Sequence, residues 1–152
     1  MVRRACGTCT ACCTVMGVPD LGKDYYERCE HEGRSRCIIY ESRPDGCRNF
    51  SCQWLVGAME EWDRPDKIGV VFDITSGGDL GRIPIALEVE KGASDRGRGR
   101  RAVRFVAKNS PVLVVSPDGT RRLEGGPPDA STTLIGNAPG ADMSVEREIP
   151  SD

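Results

Sequence analysis

The chain has 152 residues, which suits one compact domain, or one domain with a small appendage. Its apolar fraction of 38% and aromatic fraction of 5% are low for an enzyme domain, so such a chain gains from a source of stability besides a hydrophobic core. A net charge of -2 predicts no polyanionic partner, and no run approaches the roughly 18 apolar residues of a membrane helix.

At the N-terminus Arg3 and Arg4 are not followed by an apolar run. A secretory signal needs that run, so the expected compartment is the cytosol. This bears on the eight cysteines, all of which precede residue 53. In an oxidising compartment an even number suggests disulfides, whereas in a reducing one thiols stay free or bind metal.

The first cysteine block is Cys6-x2-Cys9-x2-Cys12-Cys13. Residues three and four apart share a face of a helix or tight turn, so these thiols point toward one small volume. Thiolates gathered there repel one another unless a cation binds them. Gly7 and Thr8 form helix poorly, so a compact loop serves as well as a helix. The second block is Cys29-x7-Cys37, with the single histidine, His31, two residues past Cys29. The third is Cys47-x4-Cys52, placed after a chain reversal at Pro44-Asp45-Gly46. His31 reads as a surface histidine rather than a ligand. Zinc takes four ligands, commonly as two pairs, and eight cysteines could hold two ions. Iron–sulfur clusters also take four thiolates, and one bacterial pattern begins C-x2-C-x2-C, which the triple spacing resembles more than it does paired zinc knuckles.

Beyond the cysteine-rich part (1–64) the pattern predicts a small extension (65–126). A strand is expected over Ile68–Ile74 and a second over Ile83–Val89. Ser94 or Asp95 is expected to cap a helix whose apolar stripe is Ala102, Phe105, Val106 and Asn109. Val112–Val115 reads as a buried strand, and Pro117-Asp118-Gly119-Thr120 as a turn into a partner strand at Arg121–Glu124. The expected class is therefore α+β: a small cysteine-rich module with short helices, then a β-β-α-β-β extension. From 127 to 152 the composition predicts a tail with little fixed structure. Seven basic residues occur between Lys91 and Lys108, against one acid, Asp95. They read as a solvated helix face behind a loop; with only Phe105 nearby, a nucleic-acid partner is not expected.

Residues 6–54 carry a resemblance. The first block, with Cys37-Ile38-Ile39-Tyr40-Glu41-Ser42-Arg43-Pro44-Asp45-Gly46-Cys47-Arg48-Asn49-Phe50-Ser51-Cys52, is similar to the CxxCxxCC cysteine-cluster family. That family is also described as YkgJ-like, or as a zinc- or iron-chelating domain. The resemblance implies a metal-chelating module in which Cys6, Cys9, Cys12, Cys13, Cys29, Cys37, Cys47 and Cys52 are the candidate ligands. It leaves open whether the centre is an iron–sulfur cluster or zinc, and which four cysteines share an ion. Arg43, Arg48 and Tyr40 belong to the motif without being ligands, and the arginines are available to offset thiolate charge. Phe50 and Trp54 are expected to pack against the site and keep water off it.

Three roles fit these residues. Closed four-cysteine zinc sites imply a structural module that meets a protein partner. An iron–sulfur centre implies an enzyme or an electron-transfer protein, and an exchangeable ion implies a carrier or sensor. No other catalytic set is present: there is no nucleotide-binding glycine loop, no Ser/His/Asp set and no evident carboxylate pair.

Overall fold

Strands β1 (Val70–Ser76) and β2 (Arg82–Glu88) form an antiparallel hairpin with Val70 opposite Glu88 and Ser76 opposite Arg82. Strand β3 (Val112–Val115) runs parallel to β2, and β4 (Arg121–Glu124) pairs antiparallel with β3, giving a four-stranded sheet in the order β1-β2-β3-β4. This is a computed structural model, and it describes residues 4–125; the tail expected over 127–152 lies outside the described residues. Among the described residues no helix is long and apolar enough to cross a membrane.

The parallel pairing of β2 with β3 requires a crossover, and α4 (Gly97–Ala107) supplies it. Strands covered on both faces read as continuous apolar runs, and all four residues of β3 are buried. One sheet face, with Val71, Ile83, Ile85, Leu87, Leu113 and Val115, packs on Ala11, Val15 and Met16 of the cysteine-rich segment. The other face packs on Ala102 and Val103 of α4, together with Trp54, Met59 and Ile68. Both cores therefore combine residues from before and after residue 65.

Helix α1 (Ala11–Val15) has five residues, too few to persist alone. Val15 is fully buried, and a side chain of that size contributes about 1.5–3 kcal/mol when removed from water. Packing on the sheet thus holds α1 in place, and α1 carries Cys12 and Cys13.

Several boundaries differ from expectation. Ile68 ends the short helix α3 (Pro65–Ile68) instead of opening a strand, because Pro65 favours a helix start and Gly69, at φ +74°, closes it. Neither Ser94 nor Asp95 caps α4: its N-cap is Arg96, which makes no side-chain cap bond. Both residues are engaged elsewhere. The Ser94 hydroxyl donates to buried Glu88, and the Asp95 carboxylate accepts from Arg122 at 2.8 Å. Glu88 also accepts from Ser116 Oγ at 2.7 Å and from the amides of Gly92 and Ser94, both at 3.0 Å. Burial alone would raise its carboxyl pKa; these hydrogen bonds outweigh that and hold it below the ordinary value. Phe105 is 42% exposed, so the buried stripe of α4 is Gly99, Ala102 and Val103, followed by half-buried Val106.

Gly99 sits where α4 crosses backbone. A Cβ built there would lie 2.0 Å from the Ala93 carbonyl oxygen and 2.9 Å from that of Ile68. Glycine to alanine in a helix ordinarily gains about 1 kcal/mol. Here the obstacle is backbone, so Gly99→Ala should instead destabilise by about 1–3 kcal/mol in urea unfolding. Exposed Arg100→Ala should leave the midpoint unchanged.

Candidate metal centre

Three chain segments converge beside the buried end of α1. The first turns at Gly7, whose φ of +56° lies in the left-handed region, and the Cys9 amide donates to the Cys6 carbonyl at 2.9 Å. The turn leads into α1, where Cys12 and Cys13 follow. The second segment is pinned to the first: the Cys29 amide donates to the Cys13 carbonyl at 3.1 Å, and Thr10 Oγ1 donates to Glu32 Oε1 at 2.9 Å. A bridge between Glu32 and Cys37 and the Ile38 amide donating to the His31 carbonyl at 2.9 Å fold this segment back on itself. The third segment enters through helix α2 (Asp45–Arg48), whose Gly46 amide donates to Asp20 Oδ2 at 3.1 Å. That helix presents Cys47.

The three segments enclose one cavity of about 80 Å³. Cys6, Cys9, Cys12, Cys13, Cys29, Cys37 and Cys47 all line it. Sites for drug-sized organic ligands run to roughly 300–1,000 Å³, so this space suits ions better than substrates. Cys52 is not part of the lining; it packs against both hydrophobic cores, beside Gln53, whose amide donates to the Phe72 carbonyl at 2.9 Å. All eight cysteines are free thiols. Among the described residues, no three His, Cys, Asp or Glu side chains are already drawn into one set of ligands for an ion.

The thiols are electrostatically expensive where they stand. Burial raises Cys6, Cys9 and Cys47, and neighbouring cysteine charges add to the rise. Burial pushes Cys52 to about 11, with Cys6 and Cys9 among the charges that add to it. Cys12 and Cys13 share a hydrogen bond between adjacent thiols: it raises Cys12 steeply and lowers Cys13 to about 7. The donor set fits a thiophilic cation, which would bind the thiolates and remove their mutual repulsion.

Cations surround the set. Lys23, Arg36 and Arg43 line the cavity. Arg43 stacks 3.8 Å from the Tyr40 ring centroid, donates to the Tyr40 carbonyl at 2.9 Å, and its charge favours the thiolates of Cys6 and Cys47. Arg48 differs from expectation: it is exposed and reaches the Arg43 carbonyl at 3.3 Å instead of the cavity. Lys23 carries no sequence signal, yet it is buried, its ammonium donating to the carbonyls of Met16 and Asp24. Burial lowers its pKa, while the charges of Cys29 and Cys13 act the other way. Arg64, from far along the chain, donates to Thr8 Oγ1 at 3.2 Å and its charge favours the Cys6 thiolate.

His31 lines the cavity wall and lies 3.4 Å from the Glu30 carboxylate. Phe50 lines the cavity and packs on the core. Trp54 lies deeper, on the opposite face of the sheet from α1, with its indole donating to the Glu61 carbonyl at 3.0 Å. In the basic stretch, Arg96 lies 3.4 Å from Glu90 and Arg101 3.4 Å from Asp63, while Arg98, Arg100 and Arg104 are exposed.

No protein-family model matches the chain, and neither a curated protein nor a solved structure matches it.

The thiolate, not the thiol, attacks alkylating reagents. In reduced, metal-free protein at pH 7, Cys13 should therefore be the first cysteine modified by iodoacetamide and Cys12 among the last. Peptide mass spectrometry at short times reads the order; uniform labelling of all eight would contradict it.

Proposed function

We propose that this chain is a metal-binding cysteine-cluster protein that holds its metal through thiolates. The observation that carries this reading is the convergence of seven free thiols, from three separate chain segments, on one cavity of about 80 Å³ rimmed by Lys23, Arg36 and Arg43. Hydrophobic packing alone gives no reason to gather this many thiols against three cations. The similarity of residues 6–54 to the CxxCxxCC cysteine-cluster family supports the same reading, and with no family model matching it rests on those residues alone.

Of the two candidate centres, the C-x2-C-x2-C run favours an iron–sulfur cluster over zinc. A cluster would supply electron transfer at the site; zinc would supply a structural cross-link and, through it, a surface for a protein partner. The residues of the chain do the remainder in either case. Arg43 and Lys23 offset thiolate charge, Phe50 restricts water, and the packing of Val15 and Met16 fixes α1 so that its two cysteines stay aimed at their neighbours. The free thiols require a reducing compartment, and the cytoplasm is the one we propose.

Full-length protein purified without oxygen should contain iron or zinc by elemental analysis. A brown protein absorbing visible light identifies the cluster, and a colourless one zinc. Cys9→Ser should lower the metal content and the melting temperature together, because binding energy in such sites is folding energy. Metal-free wild-type protein with its cysteines in disulfides would overturn the proposal.

A further inference from the structure

The geometry points to two separate four-thiolate centres, one formed by Cys6, Cys9, Cys12 and Cys52, the other by Cys13, Cys29, Cys37 and Cys47. This rests on the metal-binding reading above and adds which cysteines act together.

The division begins inside α1. Successive residues of an α-helix point about 100° apart, so Cys12 and Cys13 cannot face the same way. Cys12 turns toward the sheet. It packs against the core cluster of Val15, Met16 and Leu113, as do Cys9 and Cys52, whereas Cys13, Cys29, Cys37 and Cys47 do not touch that cluster. Cys13 turns instead to the second segment, whose Cys29 amide it accepts.

Charge neighbourhoods divide the same way. The thiols acting on Cys52 are Cys6 and Cys9, and those acting on Cys47 are Cys13, Cys29 and Cys37. Cys9 is influenced by Cys6. Two links cross the boundary, the Cys12–Cys13 hydrogen bond and the effect of Cys13 on Cys6, so the two groups adjoin.

Coordination number supplies the reason for two groups. Zinc in a closed site takes four thiolates, and so does a four-cysteine iron–sulfur cluster, so eight thiols around one centre would leave four uncompensated. The exposure of the two groups differs in consequence. The first is backed by the sheet. The second is built from residues 29–37 and from α2, whose Asp45, Gly46 and Arg48 are exposed. The second centre should therefore be the one that yields its metal first.

Two measurements on the full chain test this. In the first, metal per chain is compared across Cys→Ser variants. Cys52→Ser and Cys47→Ser should each halve it. Combining them should abolish binding, whereas Cys9→Ser with Cys52→Ser should fall no further than half. In the second, which needs no variant, wild-type protein is half-stripped with a chelator, alkylated, and its peptides read by mass spectrometry. Cys13, Cys29, Cys37 and Cys47 should label together, ahead of Cys6, Cys9, Cys12 and Cys52. Cysteines that group otherwise in the labelling, or losses that do not follow the two sets, would overturn the partition while leaving metal binding intact. Wild-type protein that binds neither iron nor zinc would overturn the metal-binding reading itself.

Discussion

The repulsion among eight thiolates held beside one face of a small sheet is the constraint to which the other features answer. Seven of them share a single cavity, and burial raises most of those whose protonation is shifted. Lys23, Arg36 and Arg43 at the rim reduce the cost but carry too little charge to cancel it, and one of them, Lys23, itself resists burial as a cation. A protein left in that state keeps its thiols protonated. A protein that takes up a thiophilic cation converts the same crowding into binding energy.

The sheet is what permits the crowding. Strands β2 and β3 are buried on both faces, so one face remains for α4 and the other for α1. Helix α1 is short, and its order comes from Ala11, Val15 and Met16 seated on Leu113 and Val115. The same five-residue helix carries the two adjacent cysteines. Core packing and thiol geometry are therefore coupled through one element, and a change on either side reaches the other. Tyr26 reinforces this from outside: its amide donates to Val15 and its hydroxyl to the Val115 carbonyl, bracing the second segment against both α1 and the sheet.

Local pattern made some of this legible in the sequence and long-range packing hid the rest. Val112–Val115 and Arg121–Glu124 stand where the apolar run and the Pro-Asp-Gly turn put them, because both signals are local. The first strand began two residues later than the hydrophobicity suggested: Ile68 is as apolar as its neighbours, and only Pro65 and Gly69 mark it as helical. Phe105 looked like a core residue by period, but the stripe that meets the sheet is one residue over, at Val103, where α4 approaches β3. The cysteines announced themselves by spacing. Their company did not. Lys23 and Arg64 reach the site through folding of the intervening chain, and nothing in their own neighbourhoods distinguishes them from surface cations.

The central claim is that sulfur atoms of this chain, and no other donors, hold a metal. X-ray absorption at the edge of the bound metal measures this directly in the full-length protein. The account predicts a first shell of sulfur alone, about 2.3 Å from the metal, with four sulfurs per ion. A shell containing nitrogen or oxygen in place of sulfur would contradict it.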